Sequence, residues 1–535
     1  MSSSPTQLEP ISLHSIQAII NKLYNNIRLS ALANQVTPSS VQLTFYNAFL
    51  VTFLFLALKV AVTVIYRLYF SPLAKFPGPK IAALSRLYEF WYQGIKRTEF
   101  PDVIKEMHRV YGPIVRISPF ELSINDSEFN AGFFLHDRKL DKDPWYYGLG
   151  FTESLFTLLD KDKHRHRQSH LAPSFSGSQF KNAEPTIERE LKKLLSVFEL
   201  EVRSSEGINL SVAFRKMGNE ILRSFLMGER GDSTAPVDYM KDADVAYHPV
   251  FKTMTYVRHF PILYKLHALI PNWFYDRWLP LAKYQRDADD HVRYLVREHD
   301  KSDSKSEDDG LLYNFVELDP SYRKNNLQAA VEEFTALQWG GREVLGHGLT
   351  NISFHLVSNP KCMAHLYEEL RSTDINISKA SYAQLQTFPY LNAVCKEGLR
   401  TQLGGSFRIP RTSSTPITYK SYTIPALTPV SMCPKFFHDD EAIFPDHLAF
   451  KPERWLQGNT DELDKYWKPF GNGSRSCIGM NLALEVVYRA VANIFLRYDV
   501  SFHDGIDVGL CRQDGMLKVF PHKNSRGLVV DVRER

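Results

Sequence analysis

Between residues 43 and 66 the chain is apolar at almost every position, from Leu43-Thr-Phe-Tyr46 to Thr63-Val-Ile-Tyr66, with Lys59 as its one charge. About 20 such residues span a bilayer as a helix, so the run predicts a transmembrane helix whose lysine snorkels towards the Arg67 end. A buried core helix is the alternative that length disfavours. A signal peptide fits less well, because the run begins only at residue 43 and no clear small-residue cleavage site follows. Arg67, Lys75 and Lys80 lie after the span, Lys22 and Arg28 before it, and the balance tilts the C-terminal side towards the cytosol. Phe76-Pro-Gly-Pro-Lys80 then predicts a stiff hinge, since proline fixes φ and disfavours helix before it.

Beyond residue 80 apolar positions recur at helical spacing. The stretch Val331-Glu-Glu-Phe-Thr-Ala-Leu-Gln-Trp-Gly-Gly-Arg-Glu-Val-Leu345 continues through Thr350 towards Asn359-Pro360 and predicts one long helix. Gly340 and Gly341 stand inside it. Two mid-helix glycines cost about 1 kcal/mol each relative to alanine, so they ask for a local reason. Leu391 to Arg400 predicts another helix, with Glu397 and Arg400 three apart on one face. On an exposed face this is an ordinary ion pair. The flanking Leu391, Val394 and Leu399 point to burial, where such a pair needs further partners.

With 535 residues, 44% of them hydrophobic, the chain can bury a large core. No internal repeat or Pro/Gly/Ser-rich linker divides it after residue 80. The expected organisation is an N-terminal segment (1–42), the transmembrane helix (43–66), a basic proline hinge (67–80) and one large domain (81–535). A net charge of +4 is too weak to argue for nucleic acid, and none is expected as a partner. Five cysteines, odd in number and without C-x-x-C spacing, argue against a disulfide framework or a zinc site and suit a reducing, cytosol-facing compartment.

One of those cysteines stands apart. Phe470-Gly-Asn-Gly-Ser-Arg-Ser-Cys-Ile-Gly479 places Cys477 in a glycine-bounded turn, two residues after Arg475 and just before a helical stretch from Met480 to Tyr488. Unpaired N–H groups and the dipole at a helix N-terminus stabilise a thiolate, and this setting favours a metal ligand over a nucleophile. The pattern F-x-x-G-x-R-x-C-x-G resembles the signature of the cytochromes P-450. The resemblance implies a mainly α fold with small β-sheets, a single large domain behind the membrane helix, and heme b with Cys477 as the axial thiolate to iron, pushing electron density towards O–O cleavage. It implies that Arg475 meets a propionate, that Gly473 and Gly479 let the loop lie close under the heme, and that Phe470 packs beside the sulfur. Arg454, in Phe450-Lys-Pro-Glu-Arg-Trp455, matches the family's meander arginine and predicts a Glu397–Arg400–Arg454 network. His438-Asp-Asp-Glu-Ala-Ile-Phe-Pro445 is similar to the stretch leading into it. The implied activity is that of a heme-thiolate monooxygenase.

The resemblance has two departures. The family's oxygen-side helix carries A/G-G-x-D/E-T; Gly340, Gly341 and Glu343 match it and are the expected catalytic positions, but Val344 replaces the threonine. Valine has no donor, so two reactions stay open: monooxygenation with protons arriving through water, Glu343 or a substrate hydroxyl, or a rearrangement or dehydration without ordinary oxygen scission. In Leu158 to Ser176, His164 takes the place of a family tryptophan and Gln168 that of an arginine before L-x-P-x-F. Both can hydrogen-bond a propionate, with Arg165 or Arg167 supplying charge, unless these two form a solvated basic face. Arg408, in Phe407-Arg-Ile-Pro-Arg411, is a further propionate contact by analogy.

Lys161, Lys163, Lys465, Lys468 and Arg489 are expected on the proximal side, where an NADPH-dependent flavoprotein reductase with an acidic face would dock; solubility alone also explains such charges. Trp145 to Phe156, the face at Ala336, Leu337, Gly340 and Gly341, Gly404 to Phe407 and Asp514-Gly-Met516 are candidate contacts for a lipophilic small-molecule substrate. Tyr247 to Trp278 reads as an apolar lid or plain core, and residues 300–310 as a charged surface loop. Ser71 to Pro79 and Tyr111 to Ile117 are similar to fungal biosynthetic members of the trichodiene-oxygenase-like group. This implies oxidation of a terpenoid or polyketide intermediate at the endoplasmic reticulum membrane, with the large domain cytosolic. A heme-binding membrane protein without turnover is the competing class.

Overall fold

The computed structural model describes residues 38–535 with the exception of 97, 136–139, 149–151, 177–182, 205, 229–253, 264–270, 272, 274–289, 291, 295–296, 298–310, 312–326, 403–406, 459, 506–511, 514–515 and 518–526. The chain divides into two compact units, 1–70 and 71–535. In the first, helix α1 (Pro38–Ile65) continues into a π-helical turn, Tyr66–Phe70. Tyr46–Phe70 is long and apolar enough to cross a membrane, and none of it is buried.

The second unit is mainly α with small sheets. Its principal helices are α2 (Phe100–Tyr111), α3 (Ser127–Leu135), α4 (Lys161–Leu171), α5 (Glu184–Ser204), α6 (Leu210–Met227), α7 (Leu327–Ser358), α8 (Pro360–Arg371), α9 (Pro389–Thr401) and α10 (Met480–Arg497). Their starts follow from local chemistry. The Asp160 carboxylate accepts the N–H groups of Asp162 and Lys163 to open α4, and Asn209 accepts that of Val212 to open α6. Pro360 and Pro389 open α8 and α9, where proline's missing donor costs nothing. Side chains from α5 to α10 share one core, among them Phe198, Phe214, Leu349, Phe354, Leu391 and Phe495. At 1.5 Å per residue, α7 is about 48 Å long, a beam through the unit.

The strands are short: β1 (Ile114–Arg116), β2 (Leu122–Ile124), β3 (Leu140–Lys142), β4 (Ile208–Asn209), β5 (Ile409–Ser413), β6 (Ile417–Tyr419), β7 (Tyr422–Ile424), β8 (Val430–Met432), β9 (Tyr498–Phe502), β10 (Arg512–Gln513), β11 (Met516–Leu517) and β12 (Val529–Glu534). A five-stranded sheet runs β1-β2-β8-β5-β3, with β2 and β8 parallel. A second has the order β4-β12-β9, and β6-β7 and β10-β11 are hairpins. One register matters for the site. In the antiparallel β3/β5 pair, Lys142 lies opposite Arg411.

Candidate functional site

The turn around Cys477 is set by its glycines and one backbone bond. Gly473 sits at φ +75°, where a Cβ is penalised. The Cys477 N–H donates to the Phe470 carbonyl at 2.9 Å and closes the turn onto α10. Gly479 caps α10 at an ordinary φ of −85°, so conformational freedom is not its role. A Cβ there would stand 4.0 Å from Sγ, and its absence leaves the sulfur bare. The Cys477 side chain reaches solvent, yet it lies deep enough for burial to push its thiol up, against the Gly479 N–H that favours the thiolate. Such a thiol ionises readily only when a cation or metal arrives. Phe470 is half-buried, its ring edge-on to Trp467.

Behind the turn stands a fully satisfied charge network. Glu397 accepts two bonds from Arg400 (2.9 and 2.8 Å), one from Arg454 Nε (3.1 Å), one from the Lys451 N–H and one from Trp455 Nε1. Arg400 also donates to the carbonyls of His438 and His447. Burial raises the Glu397 carboxyl, but Arg400 and Arg454 outweigh it and hold the group below its usual range.

Near Arg475 of the turn lies a cluster of cations gathered around His164. The β3/β5 register sets Lys142 and Arg411 side by side, a repulsive pairing unless an anion joins them. Lys142 Nζ donates to the carbonyls of Leu155 (3.1 Å) and Phe156 (2.7 Å). Arg475 donates to those of Leu158 (3.1 Å) and Leu159 (3.0 Å) and so ties the cysteine turn to the segment before α4. Arg411 donates to the Tyr147 hydroxyl and the Pro410 carbonyl, while its buried Nε has no hydrogen-bond partner. His164 lies among them. Burial first, then Lys142, Arg475, Arg411 and Arg167, pushes its imidazole down to about 2, so it is neutral. Cations and an orphaned N–H around an accessible thiol fit a heme: sulfur for the iron, donors for the carboxylates.

Some expectations need correction. Arg408 cannot face a propionate: all three guanidinium nitrogens donate to Glu89 and Glu121, at 2.7–3.1 Å. Arg411, three residues on, instead stands opposite Lys142 and donates to the Tyr147 hydroxyl and the Pro410 carbonyl. Alternation along an extended strand puts residues an odd number apart on opposite faces, which is the signal that separates the two. Gly341, expected as a catalytic position, is a packing position: a Cβ there would meet Leu222 Cδ1 at 1.9 Å, and its absence lets α6 approach α7. Gly340, by contrast, faces open space. Arg489 is not on a docking surface: it is buried and ion-paired with Glu485 and Glu184. On α4, Arg165 turns outward to Asp162, Arg167 turns inward to Glu333 (3.0 Å), and Gln168 is half-buried.

The α7 face also holds Glu343, buried and directed away from solvent. Its carboxylate takes Arg342 Nε at 2.7 Å, and Arg215 Nε of α6 lies 3.4 Å from Oε2. Val344 is 41% exposed, and its carbonyl accepts the Gln402 amide at 2.9 Å. The sequence reading missed Gln402, Lys142 and Arg411, since only the strand register and the end of α9 bring them here. Gly404 to Ser406, Asp514-Gly515, the charged loop 300–310 and most of the Tyr247–Trp278 span lie outside the described residues.

A thiol on a helix N-terminus, a cationic carboxylate site and a long helix with an open glycine define a heme-thiolate protein. The chain belongs to the cytochrome P450 family, which matches residues 77–522, and it is an oxidoreductase of the monooxygenase type. The family holds heme b through a cysteine thiolate. Among its relatives are the cytochrome P450 monooxygenase sdnE of Sordaria araneosa (32% identical, covering 82% of this chain and 89% of that one) and the tryptophan 6-hydroxylase fscE of Fusarium equiseti (31%; 88% and 94%). The cytochrome P450 monooxygenase TRI4 of Trichoderma arundinaceum is 31% identical, over 86% of this chain and 91% of that one.

Proposed function

We propose that this chain hydroxylates or epoxidises a lipophilic secondary metabolite, holding heme b through Cys477. The observation that carries the assignment is the accessible Cys477 thiol in the turn of Arg475, which gathers with Lys142 and Arg411 around His164, with Arg411 Nε buried and unpartnered. Bound heme supplies dioxygen activation with electrons from an NADPH-dependent flavoprotein reductase. The protein's part is to hold the carboxylates through Arg411, Arg475 and Lys142 and to keep His164 as a neutral donor. Glu343 is the acid nearest Val344, and its proton would have to pass by way of water, since valine offers no donor. The exposed apolar helix Tyr46–Phe70 supports a single-pass anchor in the endoplasmic reticulum membrane. A terpenoid or polyketide intermediate is the substrate class; the tryptophan hydroxylase among the relatives makes an aromatic substrate the class to test beside it.

Val344 favours a second reading, rearrangement or dehydration of an already oxygenated substrate. Isotope-labelled dioxygen, supplied to the chain and its reductase in the host pathway, separates the two: label in the product is expected, and a product without label assigns the second reaction. A carbon-monoxide difference spectrum without the thiolate Soret band removes Cys477 as ligand.

A further inference from the structure

The segment 152–159, between β3 and α4, is held at both ends by charged side chains from other elements. At its far end the carbonyls of Leu158 and Leu159 accept Arg475 of the cysteine turn. In its middle the carbonyls of Leu155 and Phe156 accept Lys142. At its near end two consecutive acids of α7 take its backbone N–H groups. Glu332 Oε2 accepts from Thr152 (2.8 Å) and Glu153 (2.7 Å), and Glu333 Oε2 accepts from Leu155 (2.7 Å). Arg167 of α4 ties this end further, donating to Glu333 and to the Glu153 carbonyl. Both acids are buried. Irregular backbone rarely captures two adjacent carboxylates from one helix, because each buried carboxylate must find donors to offset its desolvation.

We propose that Glu332 and Glu333 are positioning residues that clamp segment 152–156 to α7 and thereby shape the wall met by the substrate. Consecutive positions on a helix point about 100° apart, so one acid grips the segment at Thr152 and Glu153, the other at Leu155, and together they remove its freedom to swing. Phe156, 47% exposed beside Lys142, is the side chain whose placement the clamp sets. The inference rests on the reading that this segment lies on the substrate side of a bound heme.

The test uses the full-length heme-loaded chain in detergent, with Glu332→Leu, Glu333→Leu and Glu333→Gln. Hydrogen exchange of amides 152–156 is expected to quicken about tenfold in both leucine variants, with residues 345–356 of α7 unchanged. Glu333→Gln keeps an acceptor and is expected to stay close to the parent, which also covers the case in which Glu333→Leu does not fold. Imidazole and 4-phenylimidazole, followed by their shift of the Soret band, serve as small and large probes of the wall. The leucine variants are expected to weaken 4-phenylimidazole about fivefold relative to imidazole. Unchanged exchange overturns the clamp. Quickened exchange with an unchanged ratio of the two azoles overturns its role towards substrate. A parent chain that binds neither azole overturns the heme reading itself, whatever the exchange shows.

Discussion

Two buried charge clusters on α7's side and behind the cysteine turn are built in opposite ways. Around Glu397 every oxygen of the carboxylate is bonded, five donors converge on it, and Arg400 is wholly buried with its remaining donors on carbonyls. Around Glu343 the bonding is incomplete: Oε2 has no hydrogen bond, and neither has Nε2 of the buried His347 one turn along. The first cluster is a lock, since both carboxylate oxygens already have their donors. The second keeps polar atoms that a water can bridge, which suits a place where protons must move. Backbone fit is tight at both: Gly341 and Gly346 leave no room for a Cβ against Leu222 and Arg215, and Gly398, beside Glu397, leaves none against Ile352.

The sharpest way to break the comparison is Glu397→Ala. It leaves Arg400 and Arg454 buried without their anion, and the expected loss is about 3–5 kcal/mol of stability, read from denaturant midpoints. Equal losses from Glu343→Ala would erase the distinction. Gly341→Ala is expected to cost about 1–3 kcal/mol by overpacking, and Leu222→Ala in the same chain should recover much of it. Non-additivity of the two substitutions is the measurement. Arg411→Gln should lower heme retention about tenfold with little change in the stability of the heme-free chain. Arg408→Gln should do the reverse, because it strands Glu89 and Glu121.

The smallest effect is on pH dependence. His438, in the first cluster, and His347, in the second, are each pushed down to about 3, by burial first and then by Arg400 and Arg215 respectively. Unfolded, both bind a proton below about 6.5; folded, neither does until about 3. The unfolded chain therefore holds more protons in that window, and stability falls as pH drops below 6.5, by at most about 1.4 kcal/mol per histidine per unit. His347→Leu should make the slope of unfolding free energy between pH 5 and 6.5 shallower by about one proton. A slope that does not change would place His347 in contact with solvent.

The cysteine turn, the Glu397–Arg400 spacing and the long α7 were all legible, because each is a pattern among near neighbours along the chain. Leu327–Ser358 extends the expected helix by only a turn at its start. Arg408 was read as free for a propionate, and there is a physical reason why it is not. Arg408 and Arg411 sit within one strand-like stretch, and what separates them is a pair of acids contributed from far away: Glu89 is 319 residues from Arg408. Arg489 was misplaced for the same reason, its partner Glu184 lying on α5. Gly341 was read from a family pattern as a catalytic position; the close passage of α6 is what requires a glycine there.

The order of residues alone determined how this chain would grip a metal cofactor, which segment is long and apolar enough to cross a membrane, and which oxygen-side hydroxyl it lacks. Those properties depend on covalent spacing and on the character of single side chains. The tertiary structure decided which charges are already neutralised and which are left to meet a ligand, because an ion pair is settled by distance in space. Lys142 and Arg411 are held side by side by the β3/β5 register, a pairing invisible along the chain, and it is on that pairing that the proposed carboxylate site rests.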